Sequence, residues 1–157
     1  REIIKSTSIA DEFKRIYACR YYYDETHTAT WPAQVVNYTA KTQYIFRINK
    51  QVLDVNDDAD LNKYVPQIER PIPFERMIYI ADGLTDVPCM RLVKEYGGKS
   101  IAVYSSNNAV AKSLKDVGRV NYIAKADYSS GSEMEQIVQS ILDHMKADEV
   151  LKKYEEK

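Results

Sequence analysis

The sequence predicts an α/β fold, a three-layer Rossmann-like parallel sheet with helices on both faces and a small extended hairpin ahead of it. Two short continuous apolar runs, "RMIYIA" (76–81) and "KSIAVY" (99–104), have the length and composition of strands covered on both sides. Each gives way to a stretch of helical periodicity, so strand and helix alternate on short loops. A strand that returns through a helix runs parallel to its predecessor, and the connections here have that form.

In chain order, residues 1–14 read as helical, with Ile3, Ile4, Ile9 and Phe13 apolar and a break near Ser6-Thr7-Ser8. "RIYACRYYYD" (15–24) is aromatic and β-branched and reads as a strand. Thr26-His27-Thr28 is the turn into "ATWPAQVV" (29–36), an extended stretch that Pro32 confines to an edge. "TAKTQYIFRINKQV" (39–52) switches to a helical period, with Ile45, Ile48 and Val52 on one face and Thr39 as cap. "DVNDDADLNK" (54–63) reads as an acidic loop, and the three prolines of "YVPQIERPIPFE" (64–75) mark an irregular connector. After the first apolar strand, "VPCMRLVKEYGG" (87–98) is a helix with Pro88 in its first turn and glycines at its end. "NAVAKSLKDVG" (108–118) is the next helix, and "VNYIAKADY" (120–128) holds a short strand. Residues 132–157 form an amphipathic helix with Met134, Ile137, Val138, Ile141 and Met145 inward. No repeat or low-complexity linker interrupts residues 1–157, which read as a single α/β domain.

Composition narrows the function. The chain has 157 residues, enough for one core, with 45% hydrophobic and 29% charged residues. A net charge of -1 gives no pull toward nucleic acid or a membrane surface. Cys19 and Cys89 stand far apart without CxxC partners, which argues against zinc and disulfide scaffolds and for two buried reduced thiols. With no leader pattern, a cytoplasmic location is expected. The first residue, Arg1, is not methionine and falls in a helical stretch, so the chain reads as a piece of a longer protein. Tyr21-Tyr22-Tyr23 and Trp31 read as a half-buried aromatic hairpin, and neither His27 nor His144 has a partner at metal-ligand spacing.

The chemistry concentrates in "IYIADGLTDVPCM" (78–90). Asp82-Gly83 is a turn pair, and Asp86 stands just before a helix, where aspartate is a favoured cap. The same two carboxylates leave the carboxyl end of a buried strand, where open parallel sheets bind ligands. Two close carboxylates repel unless a proton or cation joins them, and magnesium accepts one or two carboxylates with water and phosphate oxygens.

Residues 79–104, "YIADGLTDVPCMRLVKEYGGKSIAVY", resemble the fourth motif of the haloacid dehalogenase superfamily, and more narrowly its phosphoserine phosphatase-like hydrolases. The family form there is Gly-Asp-Gly-x-x-Asp, and Ala81 takes the place of the first glycine. "WPAQVVNYTAKTQYIFRINK" (31–50) resembles the third-motif region, with Lys41 at the family's lysine, and residues 1–25 resemble the helix and strand after the second motif. The resemblance implies a Mg2+-dependent phosphatase acting through an aspartyl-phosphate on a small phosphorylated metabolite. It makes Asp82 a direct magnesium ligand, Asp86 a second metal-side carboxylate acting through water, and Lys41 the cation that neutralises the transferring phosphoryl group. A cation in a first helical turn opposes the helix dipole, and a phosphate there relieves that conflict.

The family's Asp-x-Asp nucleophile segment is missing: "DVNDDADL" (54–61) follows no apolar strand. The chain therefore reads as the C-terminal part of such a hydrolase, lacking its central nucleophile strand and inactive by itself, with an unpaired inner edge on the strand that ends at Ala81. "YSSNN" (104–108) ends a strand and is expected to line the same pocket. The alternative is a non-catalytic regulatory or receiver-like module that binds magnesium or a phosphorylated partner.

Overall fold

Two sheets organise residues 2–155, which the computed structural model describes. An antiparallel pair joins β1 (Arg20–Tyr23) to β2 (Ala29–Gln34). A parallel sheet holds β3 (Ile78–Ala81), β4 (Lys99–Tyr104) and β5 (Tyr122–Lys125) in that spatial order. The helices are α1 (Glu2–Lys5), α2 (Lys41–Lys50), α3 (Asp58–Asn62), α4 (Val87–Glu95), α5 (Ala109–Asp116) and α6 (Glu133–Glu155). The fold is α/β, a parallel sheet flanked by helices in a Rossmann-like layout.

The pleat sorts the core. Tyr79, Ala81, Ala102, Tyr104 and Ile123 face Val87 and Met90 of α4 and Ala111 and Leu114 of α5. Their neighbours Ile78, Ile101, Val103 and Ala124 face α6, which presents Met134, Ile137, Val138, Ile141 and Met145, the five positions its periodicity marks as inward. A third cluster docks α2 on α4 through Ile45, Phe74, Cys89 and Val93. Gly98 makes the return from α4 to β4 possible, since a Cβ there would lie 2.4 Å from the Phe74 carbonyl oxygen and 2.6 Å from Val93 Cγ1.

The first third departs from its sequence reading. Only Arg20–Tyr23 of the strand expected over 15–24 joins a ladder, and among the described residues none before Ile45 is buried. Both faces of the hairpin are open, so Tyr21, Tyr22, Tyr23 and Trp31 are exposed rather than half-buried. Cys19 is exposed and Cys89 buried, so one of the two expected buried thiols faces solvent. The start of α2 is satisfied by Asn37, whose Oδ1 accepts from Ala40 N at 3.0 Å, and Thr39 turns its hydroxyl onto that same oxygen. Ile48 is exposed, and the helix buries Arg47 and Asn49 beside Ile45. The acidic stretch 54–63 contains α3, capped by the Asp57 side chain, which accepts from Asp60 N at 3.0 Å.

Candidate functional site

The packing of α2 on α4 sets the first turns of the two helices side by side. Lys41 is the first residue of α2, and Asp86 occupies the cap position of α4. Across 45 residues of sequence, Lys41 Nζ donates to Asp86 Oδ1 at 2.8 Å. No acidic residue stands in the first turn of α2, so Asp86 supplies the anion that the helix start and the ammonium both call for.

Asp86 is buried, and its side chain makes no cap bond to α4. Its Oδ1 instead accepts a second donor, the Tyr79 hydroxyl from β3, at 2.6 Å. The turn-and-cap reading of this aspartate is thereby corrected: the position is a cap position, but the carboxylate serves Lys41 and Tyr79. Burial, then the bond to Asp86, push the Tyr79 phenol far above its ordinary range, so it remains a donor. Cys89, fully buried behind it and in contact with Tyr79, is raised by desolvation and stays a thiol rather than a nucleophilic thiolate. The sequence reading missed Tyr79. The available signal was a phenol inside an apolar run read as a covered strand, because a tyrosine hydroxyl taken out of water requires a partner.

Asp82 lies on the same loop but faces solvent, and its side chain has no hydrogen-bond or ion-pair partner among the described residues. It opens onto a cleft of about 340 Å³ at the carboxyl ends of the three strands, lined also by Ala81, Val103, Tyr104, Ser105 and Tyr128. Tyr104 and Ser105 belong to the segment expected to line the pocket. A second cleft, about 510 Å³, opens at the opposite end of the sheet against Lys99, Tyr122 and α6, away from these carboxylates. The structure thus joins Lys41 to Asp86 directly and places Asp82 at the mouth of the sheet with a free carboxylate.

The donor set fits a divalent ion in part. Asp82 is an unpaired, exposed carboxylate and could serve as a magnesium ligand, while Asp86 has only Oδ2 free of the two donors described. Among the described residues no group of three His, Cys, Asp or Glu side chains could hold a metal ion. A complete octahedral site on this chain would therefore draw on water or on groups from outside it.

An uncharacterized protein of Borreliella burgdorferi is 28% identical over an alignment of 151 residues that takes in 85% of this chain and 51% of that protein. The chain thus spans about half the length of the curated relative it matches. No family model matches the chain, and no solved structure matches it.

Proposed function

We propose that this chain carries the lysine-and-carboxylate half of a magnesium-dependent phosphatase of the haloacid dehalogenase type, acting on a small phosphorylated metabolite. One observation carries the reading: a lysine at a helix start and an aspartate 45 residues away meet at 2.8 Å, on the loop that also carries the exposed carboxylate of Asp82. In this reading Lys41 meets the anionic phosphoryl oxygens, where the amides of the first turn of α2 add to its field. Asp82 is the metal-side ligand, and Asp86 holds Lys41 in place and reaches the metal through water. The ion would supply charge neutralisation to the phosphoryl oxygens.

The reaction is a two-step displacement. An aspartate outside this chain attacks phosphorus and the alcohol leaves; water then cleaves the aspartyl-phosphate and frees phosphate. The strand bearing that aspartate would lie against the free edge of β3, the place in the sheet where the family reading leaves a gap.

The test is phosphomonoester hydrolysis with magnesium, measured on residues 1–157 and on a version extended by its native upstream sequence. No turnover is expected from the former. Turnover is expected from the latter, reduced about 100-fold or more by Lys41→Ala or Asp82→Asn. Turnover by residues 1–157 alone would sink the half-site reading. An extended chain that binds phosphate without hydrolysing esters would favour the regulatory module instead.

A further inference from the structure

We propose that Tyr79 is the positioning residue of this site: its hydroxyl turns the Asp86 carboxylate away from capping α4 and toward Lys41, so that the ammonium is held against the loop that follows β3. Aspartate at a helix cap position ordinarily accepts from the amide two or three residues on. Here the residue two on is Pro88, which has no N–H, so the Cys89 amide, three on, is the one remaining target. The side chain nevertheless makes no cap bond. It is drawn to the other side by two donors on a single oxygen, Lys41 Nζ at 2.8 Å and Tyr79 OH at 2.6 Å.

The two donors differ in what they hold. Lys41 reaches Asp86 on a flexible four-carbon stem and keeps 27% of its side chain exposed, so it follows the carboxylate rather than fixing it. Tyr79 is a rigid ring on β3, packed between strand and helices in two core clusters. It ties Asp86 to the sheet at the strand whose next turn carries Asp82. The phenol also satisfies one lone pair of a buried carboxylate that would otherwise be under-bonded. Cys89, whose side chain contacts the same hydroxyl, is itself fully buried.

The consequence for anion binding rests on the reading of Lys41 given under the proposed function, whereas the consequence for the Asp86 side chain does not. The experiment separates them. In residues 1–157, Tyr79→Phe keeps the ring and removes the bond. Nitrogen-detected NMR follows the Lys41 ammonium, amide exchange follows Cys89, and a titration follows inorganic phosphate. In the variant Asp86 swings back to the cap, so the Lys41 ammonium exchanges with water faster and the Cys89 amide more slowly, each by about three- to tenfold, while phosphate binding weakens to a similar degree. The restored cap keeps the unfolding midpoint close to that of the parent chain, which loss of a purely structural bond would not do. An unchanged Lys41 ammonium and Cys89 amide would overturn the proposal. The NMR changes with no phosphate binding in the parent chain would support the positioning role and overturn the phosphate reading alone. If the variant does not fold, the parent chain still decides: a Tyr79 hydroxyl proton protected from exchange in the cold supports the role, and an unprotected one overturns it.

Discussion

Arg47 is the largest fully buried side chain, and it is charged. Its fork donates to the carbonyls of Asp54 at 2.5 Å, Asp57 at 3.0 Å and Val55 at 3.0 Å, and to Asp58 Oδ1 at 2.7 Å. Three of its four acceptors are backbone oxygens of a single loop, so the guanidinium holds the acidic segment shut over α2. Asn49 does the same for the connector, donating to the Ile72 carbonyl at 2.7 Å and accepting from Arg70 at 3.0 Å. Buried Nε of Arg47 has no partner among the described residues, a small cost accepted within a well-bonded group. Replacing Arg47 with methionine fills the volume and strands the loop carbonyls. It should destabilise the chain by about 2–4 kcal/mol in urea unfolding. Arg47→Lys should recover little, because an ammonium cannot reproduce a planar fork with several fixed donors. A lysine variant as stable as the parent would show that charge alone, and not the fork, holds the loop.

At the scale of elements, the hairpin depends on its turn. Asp24 Oδ1 accepts from Thr26 N at 2.9 Å, Thr26 Oγ1 at 2.6 Å and Thr28 N at 3.0 Å, while His27 takes a left-handed φ of 59°. The hydroxyl of Thr26, then the amide of Thr28, lower the Asp24 pKa below its ordinary 3.8. A carboxylate depressed on folding stabilises the fold fully above its unfolded value and loses that contribution as pH falls through the lower folded value. The Thr28 amide should therefore stay protected through the range where an unperturbed aspartate protonates and open only at lower pH, and Asp24→Ala should abolish that pH step. Hydrogen exchange at Thr28 against pH measures both. The second half of the chain was legible because local and tertiary preferences agree there. β4 covers the residues its apolar run marks, and the five inward positions of α6 are those of its period. Elsewhere the deciding contacts are distant in sequence. Asn37 and Thr39 are equally plausible caps by type, and the backbone's path chose Asn37. Nothing local marks Arg47 and Asn49 as buried, since the two loops that cover them are distant choices of the chain, and Tyr79 reads as one more apolar strand position until Asp86 is seen beside it. Lys41, Asp82 and Asp86 were legible as candidates because each puts a charge at the end of an element, where it must find a partner or water.

At the scale of the whole molecule, the described residues leave one edge of the parallel sheet without a neighbouring strand. The β3 strand pairs with β4 on one edge and with no described strand on the other, and Ile80, in the middle of a parallel sheet's edge strand, remains 42% exposed. Parallel sheets ordinarily bury both faces and cover their edges, because an open row of N–H and C=O groups invites another chain. The N-terminal third repeats the pattern: Ile3, Ile9, Phe13, Tyr22 and Trp31 are all exposed. Residues 1–157 taken alone should accordingly associate through the β3 edge as concentration rises, with sedimentation velocity showing growing species. Ile80→Lys places a charge on that edge and should restore a monomer, with little change in the unfolding midpoint because the side chain is already half in water. The outward amides of β3 should exchange rapidly in the monomeric variant. A parent chain that stays monomeric at high concentration, with those amides already protected, would mean that the edge is closed by contacts within residues 1–157 and that no further strand is needed there.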